Sequence, residues 1–95
     1  MNAEKRLLED GYEEVKYLTD YSYDSALIGV TTEGRAVYDY ELMIEWLMER
    51  EGWSYEDAEE WVNYNTLNAI AGFGDDAPIV INRLSDVNIT IEADD

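Results

Sequence analysis

Two helical stripes almost touching in sequence constrain this chain more than anything else in it. In YDYELMIEWLMEREGWSYEDAEEWVNYN, Tyr38 to Asn65, Leu42, Met43, Trp46 and Leu47 recur at helical spacing. After Gly52, a second stripe runs through Ala58, Trp61, Val62, Asn65, Leu67 and Ile70. Asp39 is placed to cap the first helix, predicted over Tyr40 to Arg50, and Gly52 to close it in the left-handed region. Ser54 caps the second, with Asp57 three residues on as a weak capping-box partner. A connection this short leaves the helices no choice but to be neighbours, an αα-hairpin.

Strand-length apolar runs flank the pair. ALIGV (Ala26 to Val30) and RAVY (Arg35 to Tyr38) are separated by TTEG, whose Gly34 suits a tight turn, and together predict a β-hairpin. IVIN (Ile79 to Asn82) and VNITI (Val87 to Ile91) predict two more strands beyond the glycine- and proline-bearing AGFGDDAP. At the N-terminus, Leu7, Leu8, Tyr12, Val15 and Leu18 predict a helix from Ala3 to Leu18, or two short ones broken near Gly11. The order α-β-β-α-α-β-β describes an α+β fold in which a small antiparallel sheet packs against the αα-hairpin, with the N-terminal helix closing a side. Its 95 residues, of uniform composition, are expected to form a single domain, residues 1–95.

The same stretch that sets the fold carries nine carboxylates against one basic residue, Arg50. Over the whole chain 23 acidic residues face six basic ones, a net charge of −17. A surface of that sign repels phosphate backbones and anionic membranes, so direct nucleic-acid binding and membrane association are not expected. With 13% aromatic residues the chain is no disordered acidic tail. It has neither histidine nor cysteine, which removes the usual zinc sites and every nucleophile activated by histidine. No apolar run approaches the roughly 20 residues of a membrane span. The N-terminal residues lack the apolar core and cleavage site of a signal peptide, so a cytoplasmic location is expected.

Three segments resemble a group of small acidic proteins of bacterial phages and prophages: ALIG, the long run from Gly34 to Thr66, and APIV. The similar features are the ALIG strand, the turn from Gly34 through Tyr40 into a helix, the Asn-Tyr-Asn-Thr helix end and the Ala-Pro-Ile-Val strand, spanning Ala26 to Asn82. The resemblance implies a phage origin, and with it a bacterial host cell; the group has no settled biochemical activity, and the resemblance assigns no residue a role. In composition the chain is also similar to the small acidic inhibitors that phages direct against restriction and CRISPR nucleases, some of which mimic DNA.

The best-defined candidate site is the row Glu41, Glu45 and Glu49. At i, i+4 and i+8 these carboxylates share a helix face, about 6 Å apart along the axis, a spacing comparable to phosphates along a strand. Like charges at that spacing cost the helix a few tenths of a kcal/mol each. Glu56, Glu59 and Glu60 form a second cluster, with Glu51 and Asp57 near the joint. Read functionally, the two clusters face a cationic partner; read structurally, they are a solvated surface kept charged for solubility, with Glu41, Glu56 and Asp57 favoured by the helix dipole. Trp46 and Trp61 fall on core faces. Trp53 is either a staple packing toward Ala58 or Val62, or an exposed anchor. Tyr21 and Tyr23 in the segment from Asp20 to Ser25, with Tyr17 just before it, make a tyrosine-rich loop of paratope-like composition, while Tyr38 and Tyr40 belong at the core edge. Asp75 and Asp76 lack the alternating acids of a calcium loop.

These features predict a non-enzymatic inhibitor with no cofactor and no metal. It would bind the basic, nucleic-acid-binding surface of a host protein, a CRISPR effector or another DNA-binding nuclease, through Glu41, Glu45, Glu49, Trp53, Glu56, Glu59 and Glu60. The alternatives are a small acidic structural or assembly module, dimeric through an apolar helix face, and a metal-dependent enzyme or calcium binder.

Overall fold

A computed structural model describes residues 2–19 and 21–84 of the chain. It has an α+β architecture. After helix α1 (Ala3–Glu9) come a 3-10 turn (Asp24–Ala26) and strands β1 (Leu27–Val30) and β2 (Ala36–Asp39). Helix α2 (Tyr40–Glu51) follows directly, then α3 (Tyr55–Trp61), a π-helical turn (Val62–Thr66), α4 (Leu67–Ala71) and β3 (Ile79–Ile81). The strand expected over Val87 to Ile91 lies outside the described residues.

The N-terminal helix is shorter than its apolar spacing predicts. Asn2 caps it by accepting the Lys5 N–H, and Ala3 and Leu7 are its buried positions. It stops because Gly11 takes φ +89° while the N–H groups of Gly11 and Tyr12 return to the carbonyls of Leu8 and Leu7. Those two bonds satisfy the last carbonyls, and a left-handed residue there halts helical propagation. Val15 and Leu18 still reach the core from non-helical backbone.

The hairpin forms as expected, with Leu27 opposite Tyr38 and Val30 opposite Ala36, and a register irregularity between Leu27 and Gly29. Antiparallel pairing stops there. β3 runs parallel to β2, Ile79 beside Val37 and Ile81 beside Asp39, so the three-stranded sheet is mixed rather than antiparallel. A parallel partner needs a long crossover, and the helical stretch from α2 to α4 provides it. Arg35, at the foot of β2, donates its Nε–H to the Ala77 carbonyl at 2.8 Å. That bond joins the entrance of β3 to the start of β2, consistent with the parallel register.

The boundary signals around the helical pair hold. Asp39 accepts the Leu42 N–H at 3.0 Å, Gly52 adopts φ +72° with its N–H on the Met48 carbonyl, and Ser54 accepts the Asp57 N–H at 3.2 Å. The buried positions of α2 are Met43, Ile44 and Leu47, whereas Leu42 and Trp46 are half-buried. Ile44 joins the core because α2 is covered on several sides, packing against the 3-10 turn, β2 and α3.

On the second helical run, Ala58, Val62 and Thr66 are buried and Asn65, expected on the apolar side, is exposed. Steps of four residues drift about 40° around an α-helix. The wider π turn takes up that drift and keeps Thr66 in line with Ala58 and Val62, turning Asn65 outward. There the Thr66 hydroxyl meets the Tyr23 hydroxyl at 2.6 Å. Tyr23 is 1% exposed and holds left-handed backbone (φ +51°), which is rare for a bulky side chain. The tyrosine-rich loop is therefore part of the core, not a free recognition surface: Tyr17 and Tyr21 are half-buried against it. Tyr38 is fully buried, its hydroxyl oxygen accepting the Leu18 N–H at 3.0 Å.

Candidate anionic and aromatic face

Burying Met43, Ile44 and Leu47 turns the opposite side of α2 to solvent, and Glu41, Glu45 and Glu49 are all exposed there. On the next helix Glu56 and Glu60 are exposed and Glu59 is half-buried. The two clusters meet at Tyr55. Its hydroxyl donates to both carboxylate oxygens of Glu41, at 3.1 and 3.0 Å. That bond, with partial burial and the nearby charges of Glu41 and Glu59, pushes the Tyr55 phenol above its ordinary range. A second tie, Tyr40 hydroxyl to Asn63 Oδ1 at 3.0 Å, joins α2 to the π-helical turn that follows α3.

Five of the chain's six basic side chains are engaged elsewhere. Arg6 donates to the Asp24 carbonyl, Lys16 to that of Phe73 and Arg35 to that of Ala77. Arg83 pairs with the N-cap carboxylate of Asp39, which is 2% exposed. Arg50 lies 3.7 Å from Glu51 and over the rings of Trp46 and Tyr21. Among the described residues no ion pair reaches Glu41, Glu45, Glu49, Glu56, Glu59 or Glu60. Their repulsion is relieved only by water and salt, so added NaCl is expected to stabilise the fold. Between about 0.01 and 1 M the screening length drops from about 30 to about 3 Å. A gain of about 1 kcal/mol would raise Tm by roughly 4–8 °C; a flat or falling Tm in calorimetry would mean that the repulsion is negligible.

Trp53 packs against the core cluster that holds Ala58 and Val62, as a staple would, with Trp61 at a ring-centroid distance of 5.5 Å and Tyr21 edge-on at 6.4 Å. It is half-buried, stapling the turn with one side of its ring and lining a surface cleft with another. That cleft, about 410 Å³, is walled by Trp53, Trp61 and Tyr64, with Asp57, Glu60 and Asn65 completing it. It adjoins an acidic groove formed by Glu56, Asp57, Glu59, Glu60, Asn63 and Tyr64. The structure thus brings Glu56, Glu59 and Glu60 together and joins them to Glu41, while Glu45 and Glu49 line neither depression.

Tyr64, 69% exposed, is a surface feature that charge counting passes over, and Asp57, counted only as a charge near the joint, lines both depressions with it. Their signal was present: Trp53, Asp57, Glu60, Trp61 and Tyr64 fall at successive helical intervals, an aromatic and acidic stripe beside the apolar one. Among the described residues no group of three acidic side chains is disposed to hold a metal ion, and no helix is long and apolar enough to cross a membrane. Comparison with protein-family models, curated proteins and solved structures finds no match for this chain.

Proposed function

We propose that this chain is a phage-encoded, non-enzymatic inhibitor that blocks a basic, nucleic-acid-binding surface on a host defence nuclease, a CRISPR effector or a similar DNA-cutting enzyme. One observation carries the reading: exposed carboxylates cover the outer face of α2 and the first turns of α3 without an ion-pair partner among the described residues. The six basic side chains would suffice to neutralise the row Glu41, Glu45 and Glu49, yet five of them serve backbone carbonyls, the core-edge rings or Asp39. An unneutralised row raises the association rate with a cationic groove and makes binding depend on salt. Glu56, Glu59 and Glu60 extend the negative field, and Trp53 adds desolvated area that slows release.

The double variant E45K/E49K tests this directly, because both side chains point to solvent and their reversal leaves the core untouched. The measurement is inhibition of DNA cleavage by a host nuclease recovered on the immobilised protein at low salt and eluted by a salt gradient. Inhibition is expected to weaken more than tenfold in the variant, about 1.4 kcal/mol or more, with its melting temperature unchanged or raised. Full inhibition by E45K/E49K defeats the mechanism. A defined oligomer indifferent to salt, with no nuclease captured, would instead support the assembly module.

A further inference from the structure

The cleft beside Trp53 has the makings of a receptor for one side chain rather than a diffuse field. From its walls and charge we infer that it takes the guanidinium of an arginine presented by the basic partner. Three aromatic rings and two carboxylates converge there. Aromatic faces attract cations and stack on planar ones, guanidinium above ammonium, and a carboxylate pairs with the same group through its N–H donors. Trp53 and Trp61 meet at 50°, giving an angled wall, with Tyr64 and the carboxylate-bearing Asp57 and Glu60 around it.

The same ring system already holds one guanidinium. Arg50 lies 5.2 Å from the centroid of Trp46 and 6.0 Å from that of Tyr21. Tyr21 in turn contacts Trp46, Trp53 and Trp61 edge-on. Arg50 lies over Trp46 and Tyr21 and is not among the residues that line the cleft. Among the described residues no Lys or Arg comes within ion-pair distance of Asp57 or Glu60. Charge selects the occupant: a cleft with two carboxylates, on a chain of net charge −17, disfavours a nucleotide or an acidic peptide, and the angled tryptophans favour a flat cation.

This inference deepens the proposed function and rests on it for the source of the arginine, but the cleft is tested without the partner. At constant ionic strength, capped tripeptides with a central arginine, lysine or leucine are titrated into the isotopically labelled protein. The indole N–H signals of Trp53 and Trp61 are followed by NMR. The arginine peptide is expected to shift both signals and to bind at least threefold more tightly than the lysine peptide, with the leucine peptide weaker still. Tyr64→Ala and Asp57→Asn, both at exposed positions, should each weaken the arginine peptide threefold or more while the melting temperature stays within a few degrees. Equal responses to arginine and lysine, tighter binding of leucine, or indifference to both substitutions overturns the site. Its fate is separable from that of the nuclease reading. E45K/E49K lies outside the cleft and should bind the arginine peptide normally even where nuclease inhibition is lost.

Discussion

Leu47→Ala is expected to lower the unfolding free energy by about 3–5 kcal/mol in urea titration. The residue is completely buried in the middle of α2, in the cluster that includes Met43, Ile44, Tyr38 and Ala58. Alanine is the better helix former, so any loss comes from packing and the cavity left behind, not from helix propensity. For a domain of 95 residues whose total stability is about 5–14 kcal/mol, that is a large fraction. Glu45→Ala, two residues earlier on the opposite side, should change stability by less than about 0.5 kcal/mol. The contrast is the point of the pair: the helix is held by one face and presents the other. A loss below about 1 kcal/mol at Leu47 would contradict its position in the core, and with it the outward aim of Glu41, Glu45 and Glu49.

Above pH 10 the fold should lose stability steeply, and Tyr38 is the principal reason. Burial pushes its phenol up to about 12, only partly opposed by the hydrogen bond from Leu18 N–H. Unfolded tyrosine ionises near 10. Between those values the unfolded chain has released the proton and the folded chain still holds it. The native state therefore binds more protons, and stability falls as pH rises through this window. The stabilisation is fully present below about pH 10 and gone above about 12. A shift of that size corresponds to about 2–3 kcal/mol. Tyr23 adds to the slope in the same direction, its phenol also raised mainly by burial. Urea melts from pH 8 to 12, followed alongside tyrosinate absorbance, measure the effect. Tyr38→Phe should be less stable at neutral pH by about 1–2 kcal/mol, because the Leu18 N–H loses its acceptor. It should also show a shallower alkaline decline. An unchanged slope in the variant would place the responsible group elsewhere.

Signals that act within a few residues were legible in the sequence. Asp39, Gly52 and Ser54 are found as the caps that their residue types and positions call for, because capping is settled locally between a side chain and the backbone beside it. The hairpin of β1 and β2 and the adjacency of α2 and α3 follow from short connections for the same reason. The charge of −17 and the exposure of Glu41, Glu45 and Glu49 were also determined there, since a helix with one apolar face has no other side on which to carry them.

Decisions that needed distant partners came only with the tertiary structure. Arg35 meets Ala77 where β3 enters beside the start of β2; Arg83 meets Asp39 across 44 positions; Tyr23 meets Thr66 and makes a core of what composition presents as a sticky loop. The cleft belongs to both levels. Its stripe of residues is written along and beside α3, but Tyr21 must arrive from another segment to brace the tryptophans, and among the described residues no cation of the chain pairs with Asp57 or Glu60. Local chemistry chose the elements and their charge; the parallel direction of β3 and the shape of the anionic face depend on contacts between residues far apart in the chain.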